Sequence, residues 1–328
     1  MRKIFLSAVQ AGDIGCEERF DCLSENFEAD ANKIMQYHVL PRLDLYTTLL
    51  SRADGCDGTP AIALTVEDIC GLSYFLLGDK QLFDELALLS AEAVEERFSQ
   101  LAKKIKTHIA VCYVKRMERR NYNIVSIFDP RGQIAGEYRK THIPPNEMWH
   151  VSDGEQLNVI ELEFGKVGVL ICYDMMFPEA ASSLALDGAE IILHPTAGYG
   201  WYDAIGEATL RTRANDNSVY ILTAKDYIYN AAGKSSVIDP WGHVLADAGF
   251  YRDVIVSKLI DLDIPKTQPE WFYQSHMSGL TDIKQRYLQE RRPELYRNLS
   301  TSAPRLRIPD DVERKKLKDL VRSGDCRW

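Results

Sequence analysis

A short apolar run that stops at a cysteine and passes directly into a helix is the feature that most constrains the fold. In GKVGVLICYDMMFP (165–178), the aliphatic and β-branched side chains before Cys172 are typical of a buried strand. Pro178 then opens a helical pattern over 179–186 that closes at Gly188. A cysteine at such a strand-to-helix turn can present its sulfur to a cleft, with the next backbone N–H free to bind an anion. Cys172 is therefore a candidate nucleophile, and a small buried hydrophobic side chain is the alternative.

Comparable strand patterns recur along the chain and alternate with helical patterns in both halves. Pro41 is expected to kink or split the first helix, and Ser90 is the expected cap of the second. This alternation, with hairpins between, predicts one α/β domain over residues 1–264 with mixed sheets sandwiched by helices. Residues 265–328 lose periodicity and become charged, so we expect an extension that packs on the domain or on a partner subunit. The expected strands are at 3–10, 61–66, 107–115, 121–128, 133–140, 157–162, 189–194, 219–224 and 254–262, with a hairpin over 235–246 and helices at about 29–51, 90–106 and 203–217.

The composition argues against several functional classes. A formal net charge of -9 disfavours a nucleic-acid or anionic-membrane partner, because both require a basic face. No apolar run approaches the roughly 18–20 residues of a membrane span, and Gln10 and Asp13 interrupt the first strand too early for a signal peptide. The 7 cysteines are scattered without a C-x-x-C pair, which argues against a zinc site and favours a reducing, cytoplasmic location. We expect no cofactor, since neither a dinucleotide fingerprint nor a Walker loop occurs.

Three side chains of types that can act in catalysis follow or end strand patterns in distant parts of the chain. Glu67 follows AIALTV, Lys140 ends IAGEYRK and Cys172 ends VGVLI, and catalytic groups of open α/β sheets collect at such strand ends. Taken singly, Glu67 could cap a helix and Lys140 could be solvated. Together they form an acyl-transfer set, because a carboxylate can deprotonate the thiol and an ammonium can stabilise the thiolate and the oxyanion.

The chain resembles the nitrilase superfamily of carbon–nitrogen hydrolases, whose hallmark is a Glu-Lys-Cys triad in an α-β-β-α sandwich. The resemblance implies Cys172 as nucleophile, Glu67 as general base and Lys140 as the cation at the tetrahedral intermediate. It also implies that the Tyr173 backbone N–H is a second oxyanion donor. The segments that carry it are AVQ (8–10), ALTVED (63–68), GEYRKTHIP (136–144), GVLICYDMMFPE (168–179), DGAEIILHPTA (187–197), LRTRANDNSVYI (210–221) and VIDPWGHVLADAG (237–249).

The resemblance further implies an auxiliary glutamate in the loop after the lysine. Glu147 is the nearest candidate and Glu155 is its competitor. His142 and His194 are interpreted as structural, since the triad already contains a base. Residues that follow the strand ends should line a largely aromatic pocket, although Tyr199 and Trp201 could instead cover a core edge or a subunit contact. The expected lining residues are Tyr74, Met176, Phe177, Thr196, Tyr199 and Trp201.

The nucleophile motif also favours one kind of substrate. Tyr173-Asp174 follows the cysteine where nitrile-cleaving members usually carry Trp-Glu, so the resemblance is closest to the omega-amidase-like and N-carbamoyl amine amidohydrolase-like branches. Met176 stands where the first of these branches often has arginine, which favours an uncharged or amine-bearing amide or carbamoyl substrate. Family members usually pair, so a homodimer or larger homo-oligomer is expected. The alternatives are a nitrile hydrolase, an enzyme that transfers the acyl group to an amine, and a non-catalytic nitrilase-like binding protein.

Overall fold

The computed structural model describes residues 2–12, 30–53, 58–72, 79–145, 147–148, 150–197, 203–227, 233–263, 284 and 290–301, although not the side chains of 203 and 204. The chain divides into two compact units, Met1–Leu262 and Asp263–Trp328. In the second unit the described residues include two short 3₁₀ turns, Pro293–Leu295 and Arg297–Ser300. The strands and longer helices described below all belong to the first unit.

The described strands of the first unit form two six-stranded sheets with the same layout. In each sheet three central strands run parallel, one antiparallel strand flanks them on one side, and two antiparallel strands continue the sheet on the other. The first sheet has the order β12 (Val254–Asp261), β1 (Lys3–Gln10), β2 (Ala61–Leu64), β3 (His108–Met117), β4 (Arg120–Phe128), β5 (Ile134–Arg139). The second has the order β11 (Val244–Asp247), β10 (Ser236–Ile238), β9 (Tyr220–Lys225), β8 (Ile191–Thr196), β7 (Gly165–Val169), β6 (Val159–Leu162).

The two sheets pack against each other and are flanked by helices, as expected for an α-β-β-α sandwich. The central strands β2, β8 and β9 are buried along their whole length, which is why their sequences are nearly continuous apolar runs. The Tyr220 hydroxyl of β9 donates to the Asp261 carbonyl of β12 at 3.0 Å and so joins the sheets. The helices are α1 (Ala31–Ile34, continued by a π turn Met35–Val39 and by Leu40–Leu50), α2 (Lys80–Ile105), α3 (Pro178–Leu186) and α4 (Asp203–Asn217). Helices α1 and α2 contact the first sheet, and α4, packed beside α3, contacts the second.

The first expected helix is interrupted just before Pro41: a π turn, Met35–Val39, separates Ala31–Ile34 from Leu40–Leu50, and Pro41 lies in the first turn of the latter. The expected start of the second helix is wrong. Helix α2 begins ten residues before Ser90, at Lys80, and Asp79 caps it by accepting from the Leu82 N–H at 2.9 Å. Ser90 is buried inside the helix instead. None of the described helices is long and apolar enough to cross a membrane.

A buried histidine in the loop after β5 packs on α2. The His150 ring stacks on Phe83 with 4.5 Å between centroids, and neither ring nitrogen has a hydrogen-bond partner among the described residues. Burial, with a smaller contribution from Lys80, lowers the pKa of His150 to about 4. The ring is therefore neutral in the folded protein at pH values where an unfolded histidine, with a pKa of about 6.5, is already protonated.

We expect the stability of the protein to fall as the pH is lowered from about 6.5 to about 4, in part because of His150. In this window the unfolded chain binds a proton at His150 that the folded chain does not, which costs up to about 1.4 kcal/mol per pH unit. His150→Phe keeps the stack and removes the proton, so its urea midpoint should depend less steeply on pH below 6.5 than that of the wild type. Measurements at pH 8, where both rings are neutral, give the baseline, and equal slopes in the two proteins would contradict this account.

Candidate active site

Side chains from three separate segments meet at one buried ion cluster. Lys140 directly follows β5, and its Nζ donates to Glu67 Oε1 at 2.7 Å. The same Nζ donates to both carboxylate oxygens of Glu147, at 2.8 and 2.7 Å. All three side chains are buried, Lys140 completely. Glu155, the competitor of Glu147, lies exposed on the surface. The structure thus places Glu147, in the loop after the lysine, at the Lys140 ammonium.

The register of the second sheet brings Cys172 and Thr196 to the same edge. Val169 of β7 pairs with Leu193 of β8 in parallel register. Cys172 and Thr196 each come three residues later, so they lie side by side at the edge of the sheet. The Thr196 hydroxyl is hydrogen-bonded to the Cys172 thiol, and the thiol also interacts electrostatically with Glu67, Lys140 and Glu147. The nucleophile predicted from the strand-to-helix turn therefore adjoins the buried ion cluster.

The Glu67 carboxylate is held on both of its oxygens. Oε1 accepts from the Asn123 side-chain amide at 2.9 Å as well as from Lys140, and Oε2 accepts from the Ala197 backbone N–H at 3.2 Å. Ala197 directly follows β8, and Asn123 lies in β4. Donors from three different segments therefore fix the orientation of this carboxylate.

Charge balance keeps Lys140 protonated and makes Glu147 able to titrate near neutral pH. Burial by itself would lower the pKa of Lys140, but the Glu67 and Glu147 carboxylates outweigh it and raise that pKa well above its usual value. Burial raises the pKa of Glu147 to about 7; Glu67 adds to this increase, and Lys140 opposes it. Lys140 is thus a permanent cation, and Glu147 exchanges a proton in the pH range where enzymes commonly work.

The thiol of Cys172 is protonated at rest. Burial raises its pKa above the usual value, and the Glu67 charge raises it further, whereas Lys140 and the Thr196 hydrogen bond lower it. Cys172 is nevertheless partly exposed, whereas Cys70 and Cys112 are completely buried. Because the thiolate is the nucleophilic form, the proton must be transferred to a neighbouring base when the sulfur reacts.

The backbone at Cys172 is strained and is held in place by a neutral histidine. Cys172 begins a 3₁₀ turn, Cys172–Met176, with φ +44°, in the left-handed region that a non-glycine residue occupies at an energetic cost. Burial lowers the pKa of His194 to about 3, so its ring is neutral. Its Nδ1 lies 2.9 Å from the Thr223 hydroxyl, and its Nε2 lies 3.4 Å from the Cys172 carbonyl, to which it donates. His194 therefore supports the turn, in agreement with its interpretation as structural.

Asp174 ties the Cys172 turn to the end of β5. It is completely buried and accepts hydrogen bonds from both segments, so Cys172 and Lys140 are positioned relative to each other through one carboxylate. His142 also stacks on Phe177, with 3.9 Å between ring centroids. The donors to Asp174 are the Tyr138 hydroxyl (2.8 Å), the Ile171 N–H (2.9 Å), the Thr141 hydroxyl (2.9 Å), the His142 N–H (2.8 Å) and His142 Nδ1 (2.9 Å).

The other expected pocket residues have different environments. Thr196 is buried at the thiol, Phe177 is partly buried, and Met176 is 47% exposed. Tyr173, whose N–H belongs to the first turn of the 3₁₀ segment, packs edge-on against Phe177 at 5.3 Å between centroids. Tyr74, Tyr199 and Trp201 lie outside the described residues. Among the residues that the structure describes, no group of three or more His, Cys, Asp or Glu side chains is arranged to hold a metal ion.

Three contributors to the site were not expected from the sequence: Asn123, Asp174 and the Ala197 N–H. Asn123 could have been suspected, because an amide in a strand predicted to be buried requires hydrogen-bond partners. Asp174 sits within the turn that carries the nucleophile, but its position in the sequence does not reveal the partners from the end of β5. The Ala197 contact is made by a backbone N–H, which every residue except proline carries, so the residue type does not indicate it.

Comparison with known proteins identifies the family. The family model described as carbon-nitrogen hydrolase matches residues 69–264. The chain belongs to the carbon–nitrogen hydrolase family. The nitrilase-superfamily resemblance and the expectation of a carbon–nitrogen hydrolase are thereby confirmed. The matched segment contains Lys140, Glu147 and Cys172 and begins two residues after Glu67.

Relatives of this carbon–nitrogen hydrolase include named amidases. It is 34% identical to a Pseudomonas protegens protein named "Hydrolase in pqqF 5'region", over 62% of this chain and 70% of that one. It is 34% identical to an omega-amidase of Xenopus laevis, over 51% of this chain and 66% of that one. It is 29% identical to an N-carbamoylputrescine amidase of Solanum lycopersicum, over 62% of this chain and 72% of that one. In fold it matches the crystal structure of a Helicobacter pylori carbon-nitrogen hydrolase with a TM-score of 0.69, at 23% identity, over 92% of this chain and 99% of the other.

Proposed function

We propose that this carbon–nitrogen hydrolase cleaves the non-peptide C–N bond of a small amide or N-carbamoyl compound through a thioester on Cys172. The observation that carries the proposal is the Lys140 ammonium, buried between Glu67 and Glu147 beside a protonated thiol. This arrangement supplies a nucleophile, a base and a fixed positive charge at one place. The amidase and N-carbamoylputrescine amidase relatives support the same class of substrate.

The first half of the reaction forms the thioester. Glu67 takes the proton of Cys172 as the sulfur attacks the carbonyl carbon, and the C=O electron pair moves onto oxygen. Lys140 and the Tyr173 backbone N–H stabilise that oxyanion; in comparable acyl-transfer sites the loss of one such donor costs on the order of 10²–10³ in rate. When the intermediate collapses, the C–N bond breaks and Glu67 returns the proton to the departing ammonia or amine.

The second half releases the acid. Glu67, ionised again, takes a proton from water as the water oxygen attacks the thioester carbon. The second tetrahedral intermediate expels the sulfur, and the proton on Glu67 returns to it, which restores the thiol. The sum is amide plus water giving carboxylic acid plus ammonia or amine, without an external oxidant or reductant. Glu147 orients Lys140 throughout, since both of its oxygens accept from the ammonium.

The charges around the thiol support an uncharged or amine-bearing substrate. Glu67 and Glu147 face Lys140, so this part of the site has a negative balance when both carboxylates are ionised. Met176, partly exposed at the end of the nucleophile turn, offers no positive charge to an acidic substrate. A substrate carboxylate would therefore be repelled, and about 1.4 kcal/mol of repulsion corresponds to a tenfold preference for the neutral compound.

A matched substrate panel with mass detection tests the proposal. Wild-type enzyme would be incubated with butyramide, succinamate, N-carbamoylputrescine and butyronitrile, quenched in acid, and analysed for product and for intact protein mass. We expect hydrolysis of a neutral amide or carbamoyl amine, about tenfold faster than of succinamate. We also expect an acyl adduct that maps to Cys172 and is removed by neutral hydroxylamine. Preference for succinamate would contradict the charge argument, and turnover without an adduct on Cys172 would contradict the thioester.

Two further outcomes identify the alternatives. In the same panel, cleavage of butyronitrile alone would indicate a nitrile hydrolase. In a separate alkylation assay, a Cys172 thiol that fails to react with iodoacetamide at neutral pH would indicate a binding protein. The cytoplasmic location, the homo-oligomer and the packing of residues 265–328 stay predictions.

A further inference from the structure

One buried amide contacts both the carboxylate and the lysine segment of the site. The Asn123 side chain donates to Glu67 Oε1 at 2.9 Å, and the Asn123 backbone carbonyl accepts from the Lys140 N–H at 2.9 Å. Asn123 is 1% exposed, so water does not compete for either contact. Because it lies inside β4, which pairs with β3 on one side and β5 on the other, its position is set by strand pairing rather than by a loop.

A second thiol determines which way that amide points. The Cys112 Sγ on the neighbouring strand β3 donates to Asn123 Oδ1 at 3.3 Å. Cys112 is completely buried, and burial, followed by the Glu67 charge, raises its pKa well above the usual value, so it remains a protonated donor. With Oδ1 occupied by the thiol, the NH₂ group of Asn123 faces the carboxylate. The chain of contacts therefore runs from Cys112 through Asn123 to Glu67.

We propose that Asn123, oriented by the Cys112 thiol, is a positioning residue that holds the Glu67 carboxylate for proton transfer with Cys172. The inference rests on the proposed function, in which Glu67 is the base. Asn123 does not touch the reacting atoms; it acts through Glu67. The titratable groups around that carboxylate are Lys140 and Glu147, Cys172, Cys112, and the neighbouring Asp68.

The physical consequence is a slower reaction of the thiol. Without the Asn123 donor, Glu67 Oε1 loses one of the contacts that fix the carboxylate, so the carboxylate is less often placed to take the Cys172 proton. Asn123→Leu removes the donor and keeps the branched shape of the side chain. The rate of Cys172 alkylation and kcat should each fall about tenfold, the equivalent of one charge-assisted hydrogen bond, while KM stays within about twofold because substrate contacts are unchanged.

The experiment measures the rate of Cys172 alkylation by iodoacetamide at neutral pH, by peptide mass mapping, beside kcat and KM on the substrate found active. Asn121→Leu is the matched control, because Asn121 is a buried amide two residues earlier in β4 whose side chain binds Asp84 and the His150 carbonyl instead. We expect the alkylation rate and kcat to fall in Asn123→Leu and to stay at the wild-type values in Asn121→Leu. Equal alkylation rates in the two variants would overturn the inference.

The Cys112 variants keep the test decisive if Asn123→Leu does not fold. Cys112→Ser retains a donor to Asn123 and should keep the wild-type alkylation rate, whereas Cys112→Ala should lower that rate as Asn123→Leu does, by a smaller factor. The absence of any difference between these two variants would also overturn the inference. Glu67→Gln tests the proposed function itself: if it leaves alkylation of Cys172 unchanged, the proposed function fails. If it slows alkylation while the Asn123 and Cys112 variants keep the wild-type rate, only the positioning role fails.

Discussion

Cys172→Ala is expected to abolish turnover, by about 10⁶-fold, while leaving the protein folded. Removing the nucleophile of an acyl-transfer enzyme leaves only binding and oxyanion stabilisation, and losses of this size follow. The fold should tolerate the change, because alanine and cysteine meet the same restriction at φ +44° and only a small group is removed. Turnover would be measured on the active substrate, and the fold by circular dichroism and thermal unfolding.

Cys70→Ala is the matched control for this variant. Cys70 is a completely buried cysteine whose thiol lies near Ser90 of α2 rather than beside Lys140. Its loss should lower the thermal midpoint without changing kcat. If Cys172→Ala retained even about 1% of the activity, the thioester mechanism would be wrong, because no path through a covalent intermediate would remain.

The strand pattern predicted mixed sheets sandwiched by helices and nominated Glu67, Lys140 and Cys172, whereas the family resemblance implied the α-β-β-α sandwich and an auxiliary glutamate. β1 and α4 have the bounds that the patterns predict, and the other strands agree to within a few residues. Glu67, Lys140 and Cys172 could be nominated because each follows a strand, where catalytic groups of α/β sheets collect. The strands that carry them, β2, β5 and β7, are not paired with one another and belong to two sheets, so their meeting depends on how the sheets pack. Glu147 could only be nominated beside Glu155, since the loop after Lys140 has no periodicity from which to predict its path.

Other features depend on contacts between distant segments. The amphipathic pattern of α2 was expected to begin at Ser90, although Leu82, Phe83 and Leu86 continue the buried stripe toward Asp79. The role of Asn123 requires knowledge that β4 lies beside both the Cys112 strand and the Glu67 turn. Such side-chain partners arise from the packing of the sheets and cannot be deduced from spacing along the chain.

Lys140→Met is expected to destabilise the protein by about 3–5 kcal/mol at pH 8, as well as to eliminate activity. The change leaves the Glu67 and Glu147 carboxylates buried without their cation, and breaking a buried ion pair on one side carries a cost of this order. One of the two carboxylates must then bind a proton in the folded state at neutral pH. Because the folded state of the variant binds more protons than the unfolded state, its stability should rise as the pH is lowered from 8 toward 5, which urea unfolding at each pH would measure.

A double variant separates the structural role of Lys140 from its catalytic role. In Lys140→Met/Glu147→Gln one buried carboxylate is removed together with the ammonium, so most of the stability lost at pH 8 should return and its pH dependence should weaken. Activity should not return, because no cation remains to stabilise the oxyanion. Glu147→Gln alone keeps the Lys140–Glu67 contact of 2.7 Å and provides the reference for the stability and activity of the double variant. If the double variant were as unstable as Lys140→Met, repulsion between the two carboxylates would not be the cause of the loss. If it regained activity together with stability, Lys140 would serve only to neutralise buried charge, and the assignment of the oxyanion cation would be wrong.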